Sequence, residues 1–144
     1  MEILFGQARP VDVPELTSLM LHLDDTSHQS STLVSKRIER MVASKDDGVF
    51  KAQIGTVIVG VCVFSIHHST WYDGKIAYIH AMVVKSEYRS RGIGSRIIEY
   101  FTKAMKDSGV IGLELDSGFA RERAHKFYEA EGFKKVSFLF SRRI

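Results

Sequence analysis

Apolar positions recur along the chain with two periods, and the alternation between them outlines the fold. Residues 3–8 alternate as a short strand. Asp12-Val13-Pro14-Glu15 then marks a helix start: Asp12 caps, Pro14 fits the first turn and Glu15 completes a capping box. Leu16, Leu19, Met20 and Leu23 follow at helical spacing. A polar loop over 24–31 precedes a second helix over 32–43, with Leu33, Ile38, Met41 and Val42 as its stripe. Residues 49–54 and 56–67 read as strands joined at Gly55, a hairpin signal. Residues 76–84 are almost all apolar or aromatic, as expected of a strand buried on both faces in mid-sheet. After a polar connection over 85–92, a helix to residue 106 carries Ile93, Ile97, Phe101, Ala104 and Met105 on one side and stops at Gly109. A short strand over 111–115, a helix over 121–131 ended by Gly132 and a last strand over 134–140 complete the chain. The order βααβββαβαβ predicts an α/β fold (α+β in some schemes), layered αβα around a mixed sheet.

Composition narrows the class. The chain has 144 residues, 44% hydrophobic and 26% charged, which fits a single domain over 1–144 with ample material for a core. The lone Cys62 excludes a disulfide framework and a multi-cysteine zinc site, and its apolar neighbours predict a buried thiol in a reducing compartment. The six histidines have no metal-ligand spacing, so no metal is expected. The first residues lack a signal-peptide pattern, and the most apolar stretch, 56–66, is shorter than the ~20 residues of a membrane span. The expectation is a cytoplasmic protein with no membrane contact. Charge is uneven: residues 1–75 carry 7 basic and 9 acidic side chains, residues 76–144 carry 13 and 8. The basic excess points to an anionic partner of the second half, nucleic acid or a phosphorylated small molecule, or else to a solvated basic face.

The segment from Val84 to Ser95 carries the most chemistry. It joins a buried strand to an amphipathic helix, and Gly92 and Gly94 permit close backbone approach to a ligand. The first helical turn offers unpaired N–H groups and the positive end of the helix dipole. Lys85, Arg89, Arg91 and Arg96 surround it, the composition of a diphosphate cradle. It is not a Walker loop, since no Gly-Lys-Ser/Thr closes it, nor a dinucleotide fingerprint, since position 97 is Ile.

Arg89-Ser90-Arg91-Gly92-Ile93-Gly94 resembles the Arg/Gln-x-x-Gly-x-Gly/Ala acetyl-CoA motif of the GNAT N-acetyltransferase superfamily. Met82-Val83-Val84 resembles that family's preceding strand, and Phe127-Tyr128-Glu129-Ala130-Glu131-Gly132-Phe133 resembles its second signature. The matching order and spacing cover residues 76–135. The resemblance implies a GNAT-like acyl-CoA N-acyltransferase fold with a largely antiparallel central sheet and acetyl-CoA as cosubstrate. It implies pyrophosphate binding by the backbone of Arg89, Ser90, Arg91, Gly92, Ile93, Gly94 and Ser95. It also implies a bulged strand whose backbone at Met82, Val83 and Val84 holds the pantetheine arm and acetyl carbonyl.

The implied reaction is direct acetyl transfer from a thioester to a primary amine. The amine must be neutral, and deprotonating an alkyl amine near pH 7.4 costs about 4 kcal/mol. A base must take that proton, an N–H must stabilise the oxyanion, and the departing thiolate needs a proton or hydrogen bond. By the resemblance Tyr128 meets the thiolate. Glu114, on a short strand expected to be buried, and His80, where relatives often carry an acid, are the candidate bases, ahead of Asp116 and Tyr78. The family's asparagine seven residues before the tyrosine is replaced by Arg121, which, with Arg123, is a candidate for a CoA phosphate.

The acceptor site of such a fold is shaped by the first two helices and their loop, here with Asp24, Asp25 and His28. His67, His68, Trp71 and Tyr72 are candidates for the opposite wall. His22 and His125 read as exposed helix positions. The acceptor is expected to be a small amine. The alternatives are protein N-termini or lysines, or a CoA-binding sensor without catalysis. Nucleic acid is disfavoured because the basic residues gather at the glycine loop. A homodimer is compatible with the apolar segment 136–140.

Overall fold

The computed structural model describes residues 2–23 and 29–144. The chain divides into two compact units, residues 1–114 and 115–144.

The first unit is built on a sheet. β1 (Leu4–Gln7), β2 (Asp47–Ile54), β3 (Val57–His68), β4 (Lys75–Val84) and β5 (Val110–Leu115) lie side by side in sequence order. The first three pairings are antiparallel. β5 reaches its place beside β4 through the helix α3 (Ile93–Asp107), the crossover that a parallel neighbour requires, so the sheet is mixed. The helices α1 (Val13–Met20) and α2 (Ser31–Ala43) cover the other face.

Strand pleating assigns residues to the two faces. Val49, Val61, Val63 and Val83 form one apolar layer with Leu16 and Leu19 of α1 and Val34 and Ile38 of α2. On the other face Phe50 and Phe64 meet Phe101 of α3, with ring centroids 5.7 and 4.8 Å from it. Phe101 is fully buried. The arrangement within this unit is the expected αβα layering.

Several local expectations are corrected. The α2 stripe runs Val34, Ile38, Met41 and Val42, while Leu33 is exposed. The Asp12/Glu15 capping box does not form. Asp12 instead closes a 3-10 turn (Pro10–Asp12), taking the Arg9 N–H at 2.7 Å and Lys51 Nζ at 2.8 Å on Oδ2. Glu15 Oε1 accepts the Ile58 N–H at 2.8 Å, so its carboxylate ties α1 to β3 rather than to its own helix start. Burial alone would raise the Asp12 carboxyl, but the hydrogen bonds from Lys51 and Arg9 and their charges bring it below its ordinary value. Cys62 is buried as expected, and that burial pushes its thiol up to about 12, which makes it inert as a nucleophile near neutrality.

In the second unit, α4 (Glu122–Ala130) is followed by Gly132 at φ +93°, a conformation that favours glycine. The Phe133 N–H returns to the Tyr128 carbonyl at 3.0 Å, and the Tyr128 and Phe133 rings pack at 5.6 Å. The strand expected over 134–140 is absent. Its alternation is real, with Val136, Phe138 and Phe140 at every second position, but these side chains are exposed and the segment has no ladder partner among the described residues. Side-chain alternation alone does not make a strand; the backbone N–H and C=O groups must also be paired.

Candidate active site

β4 links two structural features of the first unit. At its C-terminal end the chain leaves Val84, passes Lys85 and a single 3-10 turn (Ser86–Tyr88), and enters α3 at Gly92. Ser90 and Gly92 both adopt positive φ, 60° and 75°. Such left-handed residues turn successive N–H groups toward a common point, and α3 adds the donors of its first turn. Arg96 is the first residue here to make the helical bond, to the Gly92 carbonyl at 3.2 Å. A Cβ built on Gly92 would meet nothing within 4 Å, so space lies open before the helix. Arg89 is held by its Nε–H on the Val84 carbonyl at 3.0 Å, and the Arg91 guanidinium lies 5.5 Å from the Tyr88 ring centroid. Arg96 rests over Phe5 at 5.6 Å. The exposed Arg89 and Arg91 beside a 15-residue helix start fit an anionic diphosphate. A cavity of about 100 Å³ at this end of β4 is lined by Glu15, Leu19, His22, Val84, Lys85 and Arg89, among others. The His22 Nδ1–H donates to the Ser18 carbonyl at 2.6 Å.

The second feature is a β-bulge. Val63 of β3 opposes Ala81 of β4, but the next residue, Phe64, opposes Ile79. His80 is therefore the extra residue, and the pleat loses its parity there. In a regular strand His80 would share a face with Met82. The bulge places it instead with Ala81, on the face covered by α1 and α2. There its Nε2 lies 2.6 Å from Ser65 Oγ, and the Ser65 hydroxyl bonds Asp47 Oδ1 of β2. Asp47 and Ser65 are register partners across β2 and β3.

The proton count in this chain is determined. An ionised carboxylate only accepts, and a serine hydroxyl has one proton. Ser65 therefore donates to Asp47 and accepts from His80 Nε2–H. In the tautomer that donates from Nε2, the ring's lone pair lies on Nδ1. Tyr78, on the same face, meets the His80 ring at 5.1 Å. His80, Ser65 and Asp47 line a cavity of about 490 Å³, whose apolar walls include Met20, Leu23, Val34 and Ile38.

The remaining candidates fall as follows. Glu114 is exposed on β5, not buried, so the low-dielectric argument for it as base is lost; His80 is exposed too, and its case rests on the Ser65–Asp47 hydrogen bonds instead. Met82 and Val84 are half-buried and Val83 is core. His67, His68, Trp71 and Tyr72 are exposed and line neither cavity. Asp24, Asp25 and His28 lie outside the described residues. In the second unit Arg121 stands at the start of α4, half-buried, with its N–H on the Gly118 carbonyl at 3.0 Å. His125 is half-buried and donates from Nε2 to that same carbonyl at 2.8 Å. Asp47 and Ser65 are functional candidates that the sequence did not single out: Asp47 precedes the expected strand over 49–54, and Ser65 lies inside the expected strand over 56–67. The available signal was a serine interrupting the valine and phenylalanine run of residues 57–66.

Residues 16–133 match the model of the acetyltransferase (GNAT) family. The chain belongs to this family. It is 32% identical over 79 residues to the aminoalkylphosphonate N-acetyltransferase of Salmonella typhimurium, a match covering 55% of this chain and 49% of that protein. It is 36% identical over 83 residues to the thialysine N-epsilon-acetyltransferase of Bos taurus, covering 58% and 48%. The chain thus spans about half the length of these curated relatives. Its fold is similar to that of a transcriptional regulator from Bacillus halodurans, with a TM-score of 0.90 at 19% identity, covering 99% of this chain and 100% of that one. It is also similar to an aminoglycoside N-acetyltransferase solved in complex with CoA, with a TM-score of 0.86 at 16% identity, covering 99% and 95%. GNAT membership agrees with the glycine-loop motif. No helix among the described residues is long and apolar enough to cross a membrane.

Proposed function

We propose that this GNAT protein is an acetyl-CoA-dependent N-acetyltransferase acting on a primary amine of a small molecule by direct transfer. The observation that carries the reading is that β4 serves both features. His80 lines the larger cavity, and four residues on, Val84 begins the positive-φ loop and anchors Arg89. Family membership and the acceptor amines named for the two curated relatives support it.

In this reading the loop from Arg89 to Ser95 binds the diphosphate of acetyl-CoA through backbone N–H groups, with Arg89 and Arg91 as counter-charges. The backbone of Met82, Val83 and Val84 receives the pantetheine arm and the acetyl carbonyl. The amine nitrogen attacks that carbonyl carbon, the C–S bond breaks, and the amine proton passes to His80 Nδ1. Ser65 and Asp47 are positioning residues that fix the ring's orientation and tautomer. Tyr128 is assigned as hydrogen-bond donor to the departing thiolate, a role taken from the family resemblance. Glu114 remains a weaker candidate base and Arg121 a candidate phosphate ligand.

The test is a thiol-release screen with acetyl-CoA across small amines, peptides with free N-termini and lysine peptides. Turnover of small amines supports the reading, and turnover of peptides alone moves the acceptor to protein. Binding of acetyl-CoA without thiol release on any amine would make the protein a sensor. Tyr128→Phe is expected to slow turnover with CoA affinity retained; unchanged kinetics would remove its assigned role.

A further inference from the structure

The larger cavity carries charges that acetyl transfer alone does not require. Its strand floor presents Asp47, Ser65 and His80, and its helix wall presents Arg37 and Arg40 of α2. Arg37 and Arg40 are three residues apart, so they lie on neighbouring positions of one helix face. The lining also includes the aliphatic side chains of Val34, Ile38, Met41 and Val63. Arg37 Nη2 donates to Gln29 Oε1 at 2.5 Å, and Gln29 lines the same cavity, so this guanidinium is tied to the wall. One of its five donors is used there. Among the described residues neither Arg37 nor Arg40 has a carboxylate partner.

A cavity of about 490 Å³ is of the size that takes a small metabolite. Its lining combines an imidazole backed by a carboxylate, two guanidiniums and aliphatic side chains. An acceptor with a second cationic group would meet the guanidiniums with like charge. An acceptor with an anionic group would meet them with hydrogen bonds that guanidinium makes to carboxylate and phosphonate in bidentate form.

We infer that the acceptor is an amine that also bears an anionic group on a short aliphatic spacer, the amine held at His80 and the anion at Arg37 and Arg40. This rests on the acetyl-transfer reading for the role of His80, but the charge pairing is measurable without catalysis. The exposed position of both arginines makes their replacement structurally mild.

The experiment uses 3-aminopropylphosphonate, 3-aminopropanol and 1,3-diaminopropane, which share the amine and the spacer and differ in the far group. Binding is followed by calorimetry and turnover by thiol release, with the wild-type chain and with Arg37→Ala/Arg40→Ala. The wild type is expected to bind the phosphonate and to use it with a kcat/KM roughly 10- to 100-fold above the amino alcohol, the span of charged hydrogen bonds. The double variant is expected to raise KM for the phosphonate by that factor, to leave its kcat within about twofold, and to leave the amino alcohol unchanged. Arg37→Lys/Arg40→Lys is expected to recover part of the loss. Preference for the diamine or the alcohol, or an unchanged phosphonate KM in the alanine variant, overturns the inference. Arginine-dependent phosphonate binding with no thiol release sinks the transfer reading and leaves the charge pairing standing. Thiol release indifferent to the far group does the reverse, and no binding of any of the three overturns the inference.

Discussion

The two faces of the sheet are made from the same strands and differ in kind. Toward α3 the face is solid: Phe50, Phe64 and Phe101 meet edge to face, and the space between sheet and helix is filled by rings. Toward α1 and α2 the face begins as a valine layer and then opens into a cavity floored by Asp47, Ser65 and His80. The lesson is that the solid face sets the hollow one. Gly48 opposes Phe64, and a Cβ on Gly48 would stand 2.2 Å from the Phe64 ring. The ring thus occupies the space a side chain at position 48 would need, and the next pair along, Asp47 and Ser65, points the other way and carries the polar chain. Aromatic packing on one side therefore places chemistry on the other.

This contrast can be broken from either side. The largest effect is expected on the hollow face: His80→Ala should lower kcat by roughly 10²- to 10⁴-fold with acetyl-CoA affinity and melting temperature retained. Ser65→Ala should follow in the same direction by about tenfold, with KM little changed; a fall in KM-governed binding instead of kcat would make Ser65 an acceptor contact rather than a positioning residue. On the solid face, Phe101→Ala should cost about 3–5 kcal/mol of stability in chemical denaturation while the surviving folded protein keeps its kcat. Loss of kcat in proportion would show that the two faces are not separable.

Gly48→Ala tests their coupling, since it presses on the rings and shifts the Asp47–Ser65 pair. A destabilisation of about 1–3 kcal/mol together with reduced kcat is expected, and a stable variant with normal kcat would refute the link. The smallest effect concerns acid. Asp12 has a lowered carboxyl in the folded chain, so its stabilising contribution is complete above the unfolded value near 3.8 and is lost as pH falls through the lower folded value. Between neutrality and pH 3, denaturation midpoints of Asp12→Asn should decline less steeply than those of the wild type.

Much of this was legible in the residues, and the exceptions share a cause. The glycine loop is local: Gly92, Gly94 and the basic side chains around them lie within a few residues, so their meaning survives without tertiary contacts. The strands and α3 are readable because each has one dominant period. His80 was a candidate, but its face was not readable, because one supernumerary residue inverts the alternation and nothing in the apolar run announces it. Asp47 and Ser65 are 18 positions apart and meet only through register. Glu15 looked like a cap because caps are local, yet its partner is a backbone N–H 43 positions away. At 134–140 the difference ran the other way: alternation is present without a partner strand among the described residues to use it.

The bulge in β4 acts as a dislocation does in a crystal row. On either side of it the strand is in step with itself, and the two halves are out of phase with each other by one residue. Removing that residue would let the ladder close in phase, with Ile79 and Ala81 taking adjacent places across β3. The imidazole would vanish together with the geometry that aims it. On the proposed reading, deletion of His80 is expected to abolish turnover while the chain stays folded, and a loss of folding in that variant would show the bulge to be structural.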